Sequence, residues 1–268
     1  MSTGNRLPNG HTGKRVCLFT GASGRLGSTF CAKYADRYHI AAVYRTRPPS
    51  QPSQYGELVD PLNPGAVIPD NEHPVFAIRA DLSHDADVER VVDLVLARFN
   101  AIDLVVNAAV HSVWDGMIES ERLLESVMPQ FMVNVRLPLK VATTVARQFW
   151  RDRDRENVAR NRNVVHLSSV AGLRLYSGLG QSVYAASKAA LNHLTFHMAD
   201  EFRAFGVRVN AVAPNSFPAI VATESVAAGV VRMDESDLTG RLLIVDREGD
   251  RIAGLAPMPT QTREDVPA

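Results

Sequence analysis

A short apolar run meets a glycine-rich turn at residues 16–27, which read VCLFTGASGRLG. The first four residues have the continuous apolar character of a strand that is buried on both faces. Glycines after such a strand permit a tight turn, and the helix that follows directs its positive N-terminal end at the turn. The stretch therefore predicts a strand, a phosphate-binding turn and a helix. The candidate cofactor contacts in it are Gly21, Ser23, Gly24, Arg25, Leu26 and Gly27.

Similar apolar runs recur along the chain and predict the fold. They lie at Ile40–Tyr44, Val75–Ile78, Leu104–Val106, Val164–Leu167, Val207–Val212 and Leu242–Val245. Segments with helical spacing separate them, at Leu26–Tyr38, Ala86–Phe99, Ser120–Phe149 and Tyr184–Phe205. Strands that alternate with helices indicate βαβ units and a parallel sheet with right-handed crossovers. We therefore expect a single-domain α/β fold, a three-layer, doubly wound parallel sheet of the Rossmann-like type.

Composition along the chain predicts the domain boundaries. We expect flexible tails at residues 1–14 and 256–268 and one dinucleotide-binding catalytic domain at residues 15–255. Residues 48–74 carry seven of the fifteen prolines, and because proline disfavours helix, we expect a loop insertion there. Such a loop either lies beside the cofactor or is a disordered insertion. The charge-rich segment 151–163 indicates a solvated helix end and loop.

Composition also excludes several classes of protein. The 268 residues are 46% hydrophobic, which suits one large buried core. Lys+Arg and Asp+Glu are both 29, so nothing favours a nucleic-acid partner. The chain has two cysteines, no apolar run near its start that suits a signal peptide, and no stretch as long as a membrane span. We therefore expect a cytoplasmic protein without membrane contact.

A second pattern that carries chemistry is Tyr184-Ala185-Ala186-Ser187-Lys188. Residues at i and i+4 share one face of a helix, so the spacing predicts a phenol beside an ammonium group. A nearby cation lowers the pKa of a phenol, which prepares the pair for acid–base catalysis near neutral pH. Only 4 of the 29 basic residues are lysines, so the choice of lysine at this position favours a functional role.

The end of the second predicted strand bears on the choice of cofactor. A carboxylate there favours NAD(H), whereas a basic residue favours the 2′-phosphate of NADP(H). Residues 42–47 read AVYRTR and contain no carboxylate. Arg45, Arg47 and Arg25 are therefore candidates for gripping a phosphate, and the sequence predicts NADP(H) in preference to NAD(H).

Taken together and in this order, these patterns resemble the short-chain dehydrogenase/reductase family. The resemblance runs from about Lys14 to Gly254. It also rests on Asp81-Leu82, Asn107-Ala108-Ala109, Asn134, Ser168–Gly172 and Arg208–Pro214. It implies hydride transfer between a nicotinamide cofactor and the carbonyl or imine of a small organic substrate. It also implies a homodimer or homotetramer formed through the two long helices.

The resemblance assigns a role to each matching residue. Tyr184 is the expected proton donor, and Lys188 is expected to bind the nicotinamide ribose and lower the pKa of the tyrosine. Ser169 is expected to hold the substrate carbonyl, and Asn134 a water of the proton relay. The remaining expected cofactor contacts are Asp81, Leu82, Asn107, Ala108, Ala109 and Pro214.

Other interpretations stay open at this point. Arg25 in the turn and Tyr44-Arg45-Thr46 resemble the pteridine reductase branch of the family, with His111 and Trp114 near the place of its stacking aromatic residue. A regulatory module that senses a dinucleotide without turnover, or a structural subunit, are further alternatives. The chain after Pro214 is short, so we also expect a trimmed substrate lid.

No metal site is expected. His193 and His197 have the i, i+4 spacing of a zinc pair but no adjacent glutamate and no evident third ligand. Cys17 and Cys31 are expected to be inert.

Overall fold

The computed structural model describes residues 13–49, 75–118 and 120–255. Almost all of both predicted tails, and residues 50–74 of the predicted proline-rich loop, lie outside these ranges. Within them, no helix is long and apolar enough to cross a membrane.

The described chain folds around one eight-stranded sheet with the order β3-β2-β1-β4-β5-β6-β7-β8. The strands are β1 Arg15–Thr20, β2 Tyr38–Tyr44, β3 Val75–Arg79, β4 Leu104–Asn107, β5 Asn163–Leu167, β6 Arg208–Pro214, β7 Leu242–Val245 and β8 Arg251–Ala253. The first seven strands are parallel, and only β8 pairs antiparallel, with β7. The strand order reverses between β1 and β4, so the predicted doubly wound α/β fold is confirmed.

Helices cover both faces of the sheet and complete three layers. One face carries α1 (Arg25–Tyr34) and α8 (Thr223–Glu235). The other carries α2 (Asp85–Phe99), α5 (Leu137–Val145) and α7 (Ser182–Phe202). The shorter helices are α3 Glu121–Glu125, α4 Val127–Phe131 and α6 Asp154–Ala159.

The continuous apolar runs fill two cores at once. In β4, the Val105 side chain packs under α2 and α5, whereas the Val106 side chain packs under α1 and α8. Successive side chains on a strand point to opposite faces, so a central strand that is covered on both sides has to be apolar throughout. Asn107, the last residue of β4, is polar, and the candidate site begins at this end of the strand.

The long helix predicted over Ser120–Phe149 is wrong as one unbroken element. It is divided into α3, α4, a π-helical turn at Met132–Arg136, α5 and a second π-helical turn at Ala146–Trp150. Pro138 explains the first wide turn, because proline lacks the N–H that would bind the carbonyl four residues earlier, and its ring collides with that carbonyl. That carbonyl belongs to Asn134.

One predicted helix boundary is also wrong, and one strand was not predicted. The helix placed at Leu26–Tyr38 ends at Tyr34, and Tyr38 opens β2 with its hydroxyl donating to buried Asp234 at 2.9 Å. The strand β8 was not predicted, because its three residues are largely exposed and carry no apolar run.

The segment 151–163 is solvated only in part: residues 151–156 are exposed, as its charges predict, whereas its end is buried. It contains α6, and its last residues are buried, with Arg162 only 1% exposed. Arg160 donates to buried Asp103 at 2.7 Å, and Arg162 binds the amide of buried Asn157 at 2.6 Å. The charges therefore satisfy buried partners below the sheet, which a pattern of local charge cannot reveal.

Candidate active site

The glycine-rich turn lies between β1 and α1, as predicted. Gly21 has φ +71°, and a Cβ there would lie 2.8 Å from the Cα of Ala109, so a glycine is required. A Cβ on Gly27 would lie 2.5 Å from the carbonyl oxygen of Ala22. No side chain caps α1, so the N–H groups of its first turn are available to an anion. This cradle suits the pyrophosphate of a dinucleotide.

Thr20 fixes the turn against the end of β4, a role that the sequence analysis missed. Its hydroxyl accepts hydrogen bonds from the backbone N–H of Ala108 at 3.2 Å and of Ala109 at 3.4 Å. The turn after β4 is thereby held beside the glycine-rich turn. The only sequence signal for this role is a threonine directly before Gly21.

The predicted arginines stand at the cofactor end of β1 and β2. Arg25, Arg45 and Arg47 are exposed, and none of them forms an ion pair with a carboxylate among the described residues. The sequence analysis missed Arg79 at the end of β3, which pairs in register with Tyr44 and donates to the Arg45 carbonyl at 3.3 Å. Positive charge therefore collects at one corner of the sheet.

Asp81 and Leu82 follow β3 beside this corner. Leu82 is buried, at 8% exposed. The Asp81 carboxylate accepts hydrogen bonds from the Ser83 hydroxyl at 2.8 Å and the Ser83 N–H at 3.1 Å, which lower its pKa. This carboxylate therefore holds the turn into α2.

The catalytic candidates Tyr184 and Lys188 lie one turn apart on α7, as predicted. The Lys188 ammonium is 5.8 Å from the centre of the Tyr184 ring. Burial raises the pKa of Tyr184, and a hydrogen bond with Ser169 acts in the opposite direction. The lowered pKa that the sequence predicts for Tyr184 is therefore wrong, because burial of the phenol outweighs the groups around it.

Lys188, the cation of this cluster, is 2% exposed. Its Nζ donates to the carbonyl oxygen of Leu167 at 2.8 Å. Burial lowers the pKa of Lys188 to about 7. Its protonation therefore changes in the physiological pH range.

Ser169 is held close to α7 by the short turn Val170–Gly172. The Ser169 hydroxyl accepts the N–H of Ala171 at 3.1 Å. A Cβ on Gly172 would lie 2.7 Å from the backbone nitrogen of Ala189. Glycine is therefore required for this turn to approach α7 closely enough to bring Ser169 to Tyr184.

Asn134 lies in the first π-helical turn and is fully buried. Its side chain accepts from the N–H of His111 at 2.9 Å and donates to the carbonyl of His111 at 2.8 Å and to the Ser187 hydroxyl at 2.9 Å. Both amide hydrogens are thus engaged within the protein. The side chain ties the loop after β4 to the helix that carries the catalytic pair.

His166 is a buried polar residue that the sequence analysis did not single out. It lies in β5, fully buried, with Nδ1 3.2 Å from the amide nitrogen of Asn107. Its Nε2 and the side-chain oxygen of Asn107 have no hydrogen-bond partner among the described residues. Burial, with a smaller contribution from Lys188, lowers the pKa of His166 to about 3. It is therefore a neutral imidazole near Lys188.

Two loops form the rim of the site on the substrate side. The N–H of Asp115 donates to the carbonyl of Gly180 at 2.8 Å, which joins the loop after β4 to the loop after β5. Trp114, on the first loop, has its ring centre 6.2 Å from that of Tyr184 and is 48% exposed. The predicted pocket residue Trp114 therefore reaches the catalytic tyrosine.

The chain after Pro214 is as short as predicted. Residues 215–222 lead directly into α8, which packs against α1 and the sheet. Asn215 donates to the Asp246 carboxylate at 3.0 Å and so ties the loop to the end of β7. Within the described chain no separate helix lies over the catalytic residues.

The histidine pair is exposed on α7, and both cysteines are buried. His193 and His197 lie on an exposed stretch of α7, with their Nε2 atoms 3.2 Å apart. The described residues contain no group of three or more His, Cys, Asp or Glu that is able to hold a metal ion. Cys17 and Cys31 are buried free thiols, and burial raises the pKa of both, that of Cys31 to about 12.

Residues 15–228 match the sequence pattern of the short chain dehydrogenase family. The chain belongs to this family. Short chain dehydrogenases are oxidoreductases that bind NAD(H) or NADP(H). The glycine-rich turn and the Tyr184–Lys188 helix both lie within the matched residues.

Individual relatives in this family differ widely. The uncharacterized oxidoreductase YuxG of Bacillus subtilis is 25% identical over 78% of this chain, which spans only 28% of YuxG. Farnesol dehydrogenase of Aedes aegypti is 24% identical over 86% of this chain and 89% of its own. L-xylulose reductase of Caenorhabditis elegans is 30% identical over 76% of this chain and 71% of its own.

A solved short chain dehydrogenase has the same fold. The enzyme from Leptospira borgpetersenii, whose crystal structure contains NAD+, superimposes with a TM-score of 0.70 at 18% identity. The match covers 87% of this chain and 92% of that enzyme.

Proposed function

We propose that this short chain dehydrogenase is an NADPH-dependent reductase of a carbonyl or imine in a small organic substrate, with Tyr184 as the proton donor. The observation that carries the proposal is the cluster of Ser169, Tyr184 and Lys188 at the carboxyl end of the parallel sheet. Ligands bind at this end of doubly wound sheets. The intact cluster favours an enzyme over a regulatory module that binds a dinucleotide without turnover.

Each group of the cluster has a chemical task. When bound, the nicotinamide ring supplies the hydride. Ser169 donates a hydrogen bond to the substrate oxygen, and Tyr184 gives that oxygen its proton as general acid. The Lys188 ammonium lies on the same helix face and stabilises the phenolate that remains. Below pH about 7 the lysine carries its positive charge.

Reprotonation of Tyr184 needs a path to solvent. Pro138 has no N–H, so the Asn134 carbonyl lacks its usual helical donor. The Asn134 side chain is engaged with His111 and Ser187. We therefore assign the relay water to the main-chain oxygen of Asn134 rather than to its amide.

We propose NADP(H) as the preferred cofactor. Arg25, Arg45 and Arg47, joined by Arg79, give the adenosine corner an excess of positive charge, although the Asp81 carboxylate interacts with Arg45. An arginine fork suits a 2′-phosphate, which NAD(H) lacks. The remaining predicted contacts are Gly21, Ser23, Gly24, Leu26, Gly27, Asp81, Leu82, Asn107, Ala108, Ala109 and Pro214.

We further propose a homodimer or homotetramer in the cytoplasm. An apolar groove of about 380 Å³ runs between α4 and α7, lined in part by Leu124, Val127 and Val183. This groove lies on the two long helical segments and supports their expected role in assembly. Two unpaired buried cysteines suit a reducing compartment.

Tyr184→Phe tests the catalytic assignment. We expect turnover to fall by about 10²–10⁴-fold, because the proton donor is lost, while the helix keeps its packing. NADPH oxidation with a panel of ketones measures turnover. Turnover of the phenylalanine variant at the parent rate contradicts the role of Tyr184.

A fluorescence titration of the same variant with NADPH and NADH is the control. Both should bind as they do to the parent, with NADPH the tighter of the two. Equal or tighter NADH binding overturns the cofactor preference without touching the role of Tyr184.

A further inference from the structure

The two loops at the rim of the site carry charged groups that are paired within the protein and apolar side chains that are exposed. Asp115 accepts the Ser120 hydroxyl at 2.8 Å and lies 3.6 Å from the Arg122 guanidinium. Arg174 donates to the Asp246 carboxylate at 3.2 Å. The charged groups of both described rim loops are thus paired within the protein. A charged ligand would have to break these ion pairs, so the polar groups that remain are hydroxyls such as those of Tyr176 and Ser182, which have no hydrogen-bond partner among the described residues.

The apolar side chains of the same loops have no such partners. Leu175 is 91% exposed, Leu179 49% and Trp114 48%. Exposed apolar surface in a contiguous patch marks a binding site more often than chance exposure of single residues does. Trp114 connects this patch to Tyr184, because the two ring centres are 6.2 Å apart.

A cavity of about 360 Å³ opens between the two loops. Met117, Leu175 and Tyr176 line it, and Ser182 and Ala185, which are close to Tyr184 on α7, line it from the helix. Polar residues complete the lining, among them Asp115, Arg174 and Gln181. That volume is within the range of sites for small organic ligands. The cavity therefore lies where the body of a substrate extends away from a carbonyl held at Ser169 and Tyr184.

Resting on the function proposed above, we propose that the substrate is a ketone or aldehyde with a bulky apolar body, an aryl or long alkyl group. This body packs on the Trp114 indole and enters the cavity beside Leu175. The exposed apolar side chains of the rim favour such a body over a polyhydroxylated sugar. Trp114 and Leu175 are thus specificity-determining residues.

Two methyl ketones with the same reacting group test the substrate class. 4-Phenylbutan-2-one carries an apolar body, whereas butan-2-one lacks it, and xylulose serves as the polyhydroxylated comparison. With NADPH, we expect kcat/KM for the aryl ketone to exceed that for butan-2-one by ten- to a hundredfold. A higher kcat/KM for xylulose than for the aryl ketone overturns the inference and leaves the reductase function standing.

Leu175→Ser and Ile118→Ser form a matched pair of variants. Both residues are more than 90% exposed, so neither change threatens the fold, but only Leu175 lines the cavity. Leu175→Ser should raise KM for the aryl ketone several-fold and leave butan-2-one unchanged, whereas Ile118→Ser should change neither. If Leu175→Ser instead alters the mass in sedimentation and not KM, the rim is a subunit contact and the inference is wrong.

Calorimetry on the NADP-saturated protein separates the inference from the proposed function. Binding of 4-phenylbutan-2-one that Leu175→Ser weakens supports the apolar site even if no ketone is turned over, in which case the reductase function fails alone. Absence of binding together with absence of turnover overturns both.

Discussion

Single side chains of the catalytic cluster are the part of the site that the sequence predicts best. Tyr184 and Lys188 are neighbours through local helical geometry, so their spacing alone places them together. Thr20, Arg79 and His166 were missed because each acts through a partner on another strand. His166, for example, contacts Asn107 across 59 residues of chain. No local pattern identifies such a partner.

The buried lysine makes stability depend on pH. In the folded chain the pKa of Lys188 is lowered to about 7, whereas an unfolded lysine titrates near 10.4. The unfolded chain therefore holds the extra proton between about pH 7 and pH 10.4. Across that window stability rises with pH, and below pH 7 the full penalty for burying the charge is present.

Lys188→Met should remove this pH dependence. We expect the unfolding free energy of the variant, relative to the parent, to be higher at pH 6 than at pH 9 by on the order of 2 kcal/mol. Urea unfolding at the two pH values measures it. His166 stays neutral in the folded chain but binds a proton in the unfolded chain below about pH 6.5, so it also destabilises the fold at pH 6. The parent and Lys188→Met share this contribution, so it cancels in their difference.

Lys33→Met is the control for this prediction. Lys33 is exposed at the end of α1, so its variant should differ from the parent by the same amount at both pH values. If Lys188→Met behaves like Lys33→Met, the ammonium of Lys188 is not desolvated in the folded protein.

At the scale of elements, close contact between backbone segments determines where the candidate catalytic groups lie. The turn Val170–Gly172 lies against α7 because Gly172 has no side chain. The sequence predicted the turn and the helix separately. It did not predict their close approach, since that depends on how α7 packs against the sheet.

Gly172→Ala tests this close approach. The added methyl group would lie 2.7 Å from the backbone at Lys188 and Ala189, so the turn has to move away from α7. We expect the unfolding free energy to fall by about 1–3 kcal/mol. Because Ser169 moves with the turn, kcat should fall while NADPH binding is kept.

Gly229→Ala is the matched control. Gly229 lies in α8, and its added methyl group would meet only side chains, the nearest being that of Leu243 at 3.2 Å. Side chains adjust more easily than backbone, so stability should change little and kcat not at all. A kcat for Gly172→Ala equal to that of Gly229→Ala contradicts the positioning role of the turn.

Helices and strands were predicted well where the spacing of hydrophobic residues determines them. They were predicted poorly where they depend on contacts between residues far apart in the chain. The seven apolar runs became seven parallel strands, because a sheet covered on both faces demands such runs. The helix over Ser120–Phe149 contains a π-helical turn directly before Leu137 and Pro138, and proline makes that irregularity predictable in principle. The burial of Arg162 was not predictable, because its partners depend on the packing of α6 beneath β4.

Over the whole molecule, the two ends of the sheet serve different purposes. Catalytic and cofactor residues stand at the carboxyl ends of the strands. The amino ends hold a buried ionic cluster, in which Arg15 binds Asp234 at 2.8 Å with side chains 7% and 0% exposed. Tyr38, which opens β2, donates to the same carboxylate, whereas Arg208, which opens β6, donates to the main-chain carbonyl oxygen of Asp234. The Asp234 carboxylate thus joins β1 and β2 to the end of α8.

Asp234→Asn should therefore affect stability and spare catalysis. Removing one partner of a buried ion pair leaves an uncompensated charge on Arg15, which typically costs about 3–5 kcal/mol.

Glu235→Gln on the next residue is the control, because Glu235 pairs with Arg37 at the surface, where the two side chains are 46% and 32% exposed. Such a pair contributes under about 1 kcal/mol. In urea, Asp234→Asn should shift the unfolding midpoint far more than Glu235→Gln, with kcat and NADPH affinity of both at parent values. A loss of kcat in folded Asp234→Asn would mean that the two ends of the sheet are coupled, contrary to the separation described here.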